Sequence, residues 1–541
     1  MSPIEREYFR VPREDRRVYL RPEAADLAEL VARNRALAAT FAFPFAGRPF
    51  QAYRAAARAE IAALARRYTE RWGFATGRPW AEPMPLVVTG HQPQPFHPGV
   101  WFKNFLAGRL AEAVGGAAVN LDVDNDEAHE AAFVCPTRGP GGGGDGDAVR
   151  AAAVAYATLA GGVPHEEQPV GALRAEAGDE VLAAAPTPAT ADAFRAFWMR
   201  LVGAVPEAAN LGEAFVVARR GLEEMLGLRN LELPVSHVAD GEAFRLFVAE
   251  MLRRRADLFA AYNDSLAEYR RVYRERSAAQ PVPDLARDGP RMELPLWAWR
   301  AGERRRRLWV EDAPGGGVRL TADGAQVAAL SADEVRRPDA AAARLREARD
   351  RGWKVRPRAL SMTLFVRLAV ADVFIHGLGG ALYDKITDAM FERLLGVRPP
   401  ELILASATVR LPLETFPARP RDLEAARRAV RDWRYNPDRM LAAEALGRPG
   451  ARALADEKRR LVAHRGATRA ERRRDFLRVR DLNDRLAAFD ADGPERARRR
   501  LAEVRRQLRA NAILRGREYP YCLYPPEDLA AFYRQAIGLG G

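Results

Sequence analysis

With 541 residues, 48% of them apolar, the chain can fold but exceeds what one hydrophobic core usually serves, which predicts two or three structural units. Its net charge of +13 is almost all arginine, lysine occurring only at 103, 354, 385 and 458; the basic runs GERRRRLWV and AERRRDFLRVR have no regular aromatic interleaving for base stacking, which argues for solvated helical faces and against a nucleic-acid partner. Two cysteines, Cys135 and Cys522, cannot build a disulfide framework, and the longest near-apolar run, LFVRLAVADVFIHGLGGAL, contains Arg367 and Asp372, which argues against a membrane span.

The opening residues, MSPIEREYFRVP, are charged and lack an apolar signal core, so the expected compartment is the cytoplasm. Residues 22 to 72, rich in Ala, Leu and Arg, read as helices. PLVVTG (85 to 90) is short, β-branched and bounded by Pro and Gly, as a buried strand is. Phe102, Phe105, Leu106, Leu110 and Val114 then recur at helical spacing up to the Gly115-Gly116 stop, and AAVNLDVDND follows as a second strand. Residues 85 to 126 therefore form a β-α-β candidate for a parallel pair, and no repeat of fixed period is present.

GPGGGGDGDA (139 to 148) reads as a flexible linker or surface excursion. Residues 150 to 275 read as mostly helical, and MELPLWAWR, RRRLWVED and GVRLTAD as short strands. LFVRLAVADVF reads as a helix, IHGLGG as a glycine loop, ALYDKITDAMFERLLG as a helix and ELILASATVRL as a strand. From 421 to 515 the Arg-, Ala-, Leu- and Glu-rich pattern suits two or three long helices in an antiparallel hairpin or coiled coil, and the aromatic tail YPYCLYPPEDLAAFY is apolar enough to pack back on the core. The expected organisation is thus 1–138, N-terminal helices and the first part of an α/β core; 139–290, a helical connection; 291–420, the second part of the core; 421–515, a helical coiled coil; and 516–541, a returning tail.

Ligands of open parallel sheets bind beyond the carboxyl ends of the strands, where loops lead into helix amino termini. The loop GHQPQPFHPG has that position. Thr89 and Gly90 end the strand, the helix near Gly99 offers free N–H groups and a positive dipole end, and His91, Gln92, His97 and Lys103 add donors. The alternative is that His91 and His97 only hydrogen-bond the loop backbone. Further on, Asp122, Asp124 and Asp126 alternate along an extended chain and would share a face, where they could bind a cation, hold a substrate ammonium group or include a base of raised pKa; a solvated turn explains them as well. His129 could extend this set, but no Cys or HExxH pattern marks a metal site. In FIHGLGGALYDKITD, Gly377, Gly379 and Gly380 could form an anion-binding turn beside His376, Tyr383, Asp384 and Lys385, or could allow close helix packing. No phosphate-loop or dinucleotide fingerprint is present, so no cofactor is assigned.

These pieces, TGHQPQPFHPGVWFKNF, VDNDEAHE, VADVFIHGLGGALYDKITD and LASATVRLP, resemble in order the TGQQ loop, EDHD motif, tyrosine helix and RASxT strand of the bacillithiol-synthesis cysteine-adding enzymes, which join cysteine to glucosaminyl-malate. The sharp motifs cover about 80 residues, and the chain departs from the family by GHQ, by Asn125 and by HPGVW in place of the glycine-proline turn. The resemblance implies an α/β fold with a Rossmann-like parallel-sheet core, helical connections, a coiled coil used for homodimerisation and a carbon–nitrogen ligase activity on a small-molecule substrate. It also implies that Thr89, Gly90, Gln92, Asp124, Asp126 and the Tyr383 region line the cleft. Asp124, Asp126 and His91 are then the candidate catalytic groups, with Asn125 beside them, and ATP is the chemical default for activating the cysteine carboxyl although no nucleotide motif is present. Three other readings stay open: a non-catalytic ligand-binding dimeric scaffold, a ligase or transferase acting on a different amino-sugar or acid substrate, and a metal-dependent hydrolase or transferase using His91, His97, Asp124 and Asp126.

Overall fold

The computed structural model describes residues 4–129, 131–138, 149–464 and 466–539; the glycine-rich stretch 139–148, expected as a linker, lies outside them. The chain forms two compact units, one from residues 1–135, 153–410 and 517–541, the other from 136–152 and 411–516. The expected blocks 1–138, 139–290 and 291–420 are therefore largely parts of one body, and the helical block falls within the second.

Along the larger unit run the strands β1 (Arg17–Arg21), β2 (Leu86–His91), β3 (Ala117–Asp122), β4 (Leu231–Pro234), β5 (Arg291–Arg300), β6 (Arg306–Asp312), β7 (Val318–Ala322), β8 (Ala325–Leu330), β9 (Trp353–Pro357), β10 (Val373–His376) and β11 (Ile403–Thr408). They make a central sheet of order β1-β11-β10-β2-β3-β4 and a second sheet of order β8-β7-β6-β5-β9. In the central sheet β11, β10, β2, β3 and β4 are parallel and only β1, at one edge, is antiparallel; the second sheet is antiparallel. Fold class is thus α/β with a mixed sheet. Leu86, Val87, Val88 and Thr89 are all buried, as a parallel sheet covered on both faces requires, and that is why the run reads as continuous rather than alternating.

Helices α1 (Phe50–Arg71), α2 (Pro98–Ala113) and α3 (Leu211–Met225) cover this sheet, with the short α4 (Ala359–Phe365), then α5 (Leu378–Met390), leading into and out of β10. The run LFVRLAVADVF is not one helix. It ends α4 at Phe365, makes a π-helical turn over Val366–Val370 and becomes strand β10 at Val373. Every residue from Leu364 to Ile375 is buried, and a run buried on all sides has no periodicity to separate helix from strand.

A buried ion cluster pins β10 beside β2. The Asp372 carboxylate accepts from Arg54 Nη2 (3.1 Å), Arg58 Nη1 (3.0 Å) and the Leu86 amide (2.8 Å), while its own amide donates to Leu86 O (2.9 Å). The two strands that share this pin are separated by 281 residues of chain, so the pairing depends on tertiary contacts and not on a local turn.

The second unit is helical: α6 (Pro420–Tyr435), α7 (Pro449–Ala463), α8 (Arg469–Ala487) and α9 (Gly493–Leu514), with α6 packed along α9 and α7 along α8 around Trp433, Leu454, Leu482 and Leu486. It carries the charge of the chain. Residues 411–516 contain 28 Lys and Arg against 16 Asp and Glu, a net +12, leaving 57 against 56 elsewhere. In the larger unit the aromatic tail closes with α10 (Pro526–Ile537), whose Tyr533 hydroxyl donates to Pro98 O at 2.7 Å. Among the described residues no helix is long and apolar enough to cross a membrane.

Arg58→Met removes the more buried partner of Asp372 and leaves a buried carboxylate short of charge, so a loss of about 3 to 5 kcal/mol is expected in urea denaturation. A loss below about 1 kcal/mol would show that the pin does not hold β2 and β10 together.

Candidate functional site

Counted from β2, the parallel strands run β3 and β4 to one side and β10 and β11 to the other. The order reverses between β2 and β10, where the connections leave in opposite directions and open a crevice at the carboxyl ends of the strands. A cavity of about 520 Å³ opens there. Two helix amino termini border it. Pro98 and Gly99 begin α2, with His97 Nδ1 accepting from the Gly99 amide at 3.0 Å; Gly377, in extended conformation, begins α5, whose first turn contains Gly379 and Gly380. Both turn a positive dipole end to the cavity, but in α2 the first amides are already taken by His97, Gly99 N–H by the ring and Val100 N–H by the carbonyl at 2.9 Å, so the free first-turn N–H groups are those of α5. Gly380 is required by contact: a Cβ there would lie 1.7 Å from Cε1 of His376. Gly99 is required likewise, since its Cβ would lie 2.2 Å from Ala407 O of β11.

Of the residues expected in the site, Gly90, His91, Gln92, His97, Lys103, Asn125, Asp126, His376, Gly379, Gly380 and Tyr383 line this cavity, and Thr89, Asp124 and Asp384 do not. The Thr89 hydroxyl donates to Ile375 O at 3.0 Å and ties β2 to β10. Asp384 pairs with Arg367 at 2.8 Å in the interior. Asp124 accepts from the Ser236 amide (2.9 Å) and hydroxyl (2.5 Å), capping the helical turn Val235–Ala239. Burial and Glu166 push its carboxyl up to about 7.

The three aspartates do not share a face. Strand β3 ends at Asp122, and the chain turns through Asp124 and Asn125, so the alternation that predicts a common face stops at its first member. Asp122 points to the interior, where Arg219 of α3 gathers three carboxylates: Asp122 at 3.2 Å, Glu223 at 2.9 Å and Glu232 at 2.6 Å. Burial, then Glu232, raises the Asp122 carboxyl well above its ordinary range, and burial raises Glu232. Only Asp126 reaches the cavity as a carboxylate. Gln92 Nε2 donates to its Oδ2 at 3.0 Å, and Arg305 Nη1 to its Oδ1 at 2.9 Å.

Burial and like charge keep the three histidines of the cavity neutral and lower the Lys103 ammonium toward neutral pH. His91 falls to about 3, through burial and then Lys103; its Nδ1 lies 3.2 Å from Gln92 O. His376 and His97 fall to about 4, each chiefly through burial. Lys103, 4% exposed, falls to about 8 through burial and then Arg219. Burial also raises the Tyr383 phenol to about 12. His91 and His97 thus both line the cavity and hydrogen-bond the loop backbone. His129 is exposed, 3.9 Å from Glu127.

Four further lining residues come from regions with no motif. Trp297 of β5 lies under the guanidinium of Arg358 (4.0 Å) and near that of Arg305 (5.0 Å). Arg517, in the returning tail, reaches Thr408 at 3.3 Å and the His97 ring at 3.5 Å. Arg305 belongs to GERRRRLWV, and nothing in that run distinguishes it from its neighbours; its position opposite Asp126 is set by the β5–β6 hairpin. No protein-family model and no curated protein matches the sequence.

The Arg219 cluster makes stability depend on pH. Carboxyls whose folded pKa is raised bind more protons folded than unfolded, so their contribution is complete below the ordinary carboxylate range and declines as pH rises. Asp122→Asn keeps an acceptor for Arg219 and removes one titrating group, so the decline in melting temperature as pH rises above the ordinary carboxylate range becomes shallower. Arg219→Met should cost about 3 to 5 kcal/mol; a wild-type-like pH slope in Asp122→Asn would contradict this account.

Proposed function

We propose that this chain is a carbon–nitrogen ligase of the cysteine-adding type, acting on the amine of a glucosaminyl-malate-like acceptor held in the cavity between the ends of β2 and β10. The observation that carries the reading is the cavity's polarity: a carboxylate oriented by three donors, Asp126, held by Gln92, Arg305 and the Glu127 amide, shares it with Lys103, two helix amino termini and neutral histidines. An acceptor with an amine and carboxylates needs that combination. Its volume falls within the range of small-molecule sites, about 300 to 1,000 Å³. The strand order, 3-2-1-4-5 when the parallel strands are numbered along the chain, supports the Rossmann-like core that the resemblance implies, and the paired helices of the second unit support its coiled coil and a homodimer formed through it.

In this reading the acceptor ammonium lies against Asp126 and first gives it a proton; the free amine then attacks the activated cysteine carbonyl carbon and sheds its second proton as the leaving group departs and the amide forms. Gln92 and Arg305 fix the carboxylate for that task. The first-turn amides of α5, the dipole end of α2 and the neutral rings of His91 and His376 hold the oxygens of the acceptor and of the developing tetrahedral centre. Joining an acid to an amine requires an activated acyl group; ATP would supply it, the carboxyl oxygen leaving with phosphate or AMP as the C–N bond forms. Asp124, bonded to Ser236, positions the turn that presents Asn125 and Asp126.

Incubation of the protein with cysteine, glucosaminyl-malate, ATP and a divalent metal should yield the condensed thiol by mass spectrometry. Asp126→Asn should lower the rate about 100-fold or more, the size of a general acid–base contribution, while Asp124→Asn acts mainly on stability. Absence of product from well-folded wild-type protein would remove the ligase reading.

A further inference from the structure

The cations around the cavity differ in one respect. Arg305 faces Asp126 at 2.9 Å, Arg358 faces Glu293 at 2.5 Å and Arg517 faces Glu518 at 2.8 Å. Among the described residues Lys103 has no carboxylate within ion-pair distance: its Nζ donates once, to Gly90 O at 2.7 Å, and an ammonium has three donors. The charged and titratable groups that influence it from the surrounding elements are His91 on β2, His97 at the start of α2, His376 on β10 and Arg219 on α3, none of them an anion. An isolated buried ammonium is unfavourable by several kcal/mol unless a partner completes it.

We propose that Lys103 is the anchor for a carboxylate of the substrate, and that the anion binds together with a proton taken up by this amine. The first-turn amides at Gly379 and Gly380 complete the cradle. The inference rests on the ligase reading only for the choice of a malate-type acid; the anchor stands on the cavity and on the single hydrogen bond of Lys103, and the proton coupling follows from the burial of that amine beside Arg219.

The sign follows from the empty site. Burial and Arg219 hold Lys103 at about 8, so above that pH the free protein increasingly lacks the charge that the anion needs. A bound carboxylate raises the amine's pKa again. Affinity is therefore flat below about pH 8 and falls above it, by about tenfold between pH 7 and pH 9. His91 and His376, at about 3 and 4, and Tyr383, at about 12, do not titrate in that window.

The test is titration calorimetry of the full chain with malate, and separately with inorganic phosphate, at pH 7 and 9 in two buffers of different ionisation enthalpy. Expected are malate binding, uptake approaching one proton near pH 9, and the tenfold loss of affinity. Lys103→Met should weaken malate at least tenfold at pH 7 and abolish the uptake. Lys103→Arg, whose guanidinium stays charged, should bind malate with no uptake at pH 9. Malate binding by wild type without uptake, or unchanged binding by a folded Lys103→Met, overturns the proposal; so does failure of a folded wild type to bind malate at all. Coupled binding of phosphate but not malate overturns the carboxylate assignment. Product in the ligation assay with uncoupled malate binding would sink the anchor and leave the ligase reading, whereas coupled malate binding without any product would do the reverse.

Discussion

The site depends on Arg219. One guanidinium buried at the carboxyl end of the sheet holds Asp122 from β3, Glu223 from α3 and Glu232 from β4, and Glu223 also accepts from the Trp101 indole and the Asn104 amide of α2. Two strands and two helices therefore converge on a single charge. Three carboxylates against one cation is an unbalanced cluster in a low-dielectric interior, and the imbalance appears as carboxyls held above their ordinary range. The cluster also decides what reaches the cavity. By binding Asp122 inward it ends β3 at that residue, and the following turn directs Asp124 to Ser236 and Asp126 to the open side.

Charge is partitioned between the two units in a way that bears on recognition. The second unit holds a net +12 and the remainder of the chain +1. Anion preference in the cavity is consequently not a by-product of a basic body. It arises from local geometry, two helix ends and one unpaired ammonium, and such short-range terms are screened little by salt when buried. In the second unit the arginines lie on exposed faces of α7, α8 and α9, where screening is strong. A homodimer joined through these helices would bring like charges together and would have to align arginines of one copy with carboxylates of the other.

Much of the frame was legible from residue order. β2 is a short β-branched run closed by Gly90, and the apolar residues of the helix after it recur up to the Gly115-Gly116 stop that precedes β3, so the start of each strand and the loop after β2 were legible, whereas the end of β3 at Asp122, four residues before the run AAVNLDVDND stops, was not. Strand β10 was not legible either. Its four residues continue an apolar stretch that begins in α4, and complete burial erases the periodicity on which such an assignment rests. The loss matters because β10 supplies the second side of the crevice: IHGLGG was recognisable as a glycine loop but not as the end of a strand adjacent to β2. The aspartates failed for a different reason, since period-two reasoning holds only while the chain is extended. Arg305, Arg358 and Arg517 carried no signal in a chain with so many arginines; which of them meets the cavity is fixed by hairpin register and by the return of the tail.

The histidines show how these constraints combine. The chain has seven, and three of them, His91, His97 and His376, line one cavity. Had they been charged, they would have added cations beside Lys103 and made the empty site untenable. Burial keeps them neutral at any physiological pH, so they supply hydrogen-bonding capacity without charge. Among the described residues the lining then presents one positive group without a carboxylate partner, Lys103, one carboxylate, Asp126, three arginines already paired, and neutral donors and acceptors. A ligand of one sign alone satisfies only part of that set, whereas a molecule with an acid at one end and an amine or hydroxyl at the other satisfies all of it, because each buried polar group left unmatched costs about 1 to 3 kcal/mol. The proposed selection of a bifunctional acid rests on where Lys103 and Asp126 sit and on the pairing of the other cations in the lining.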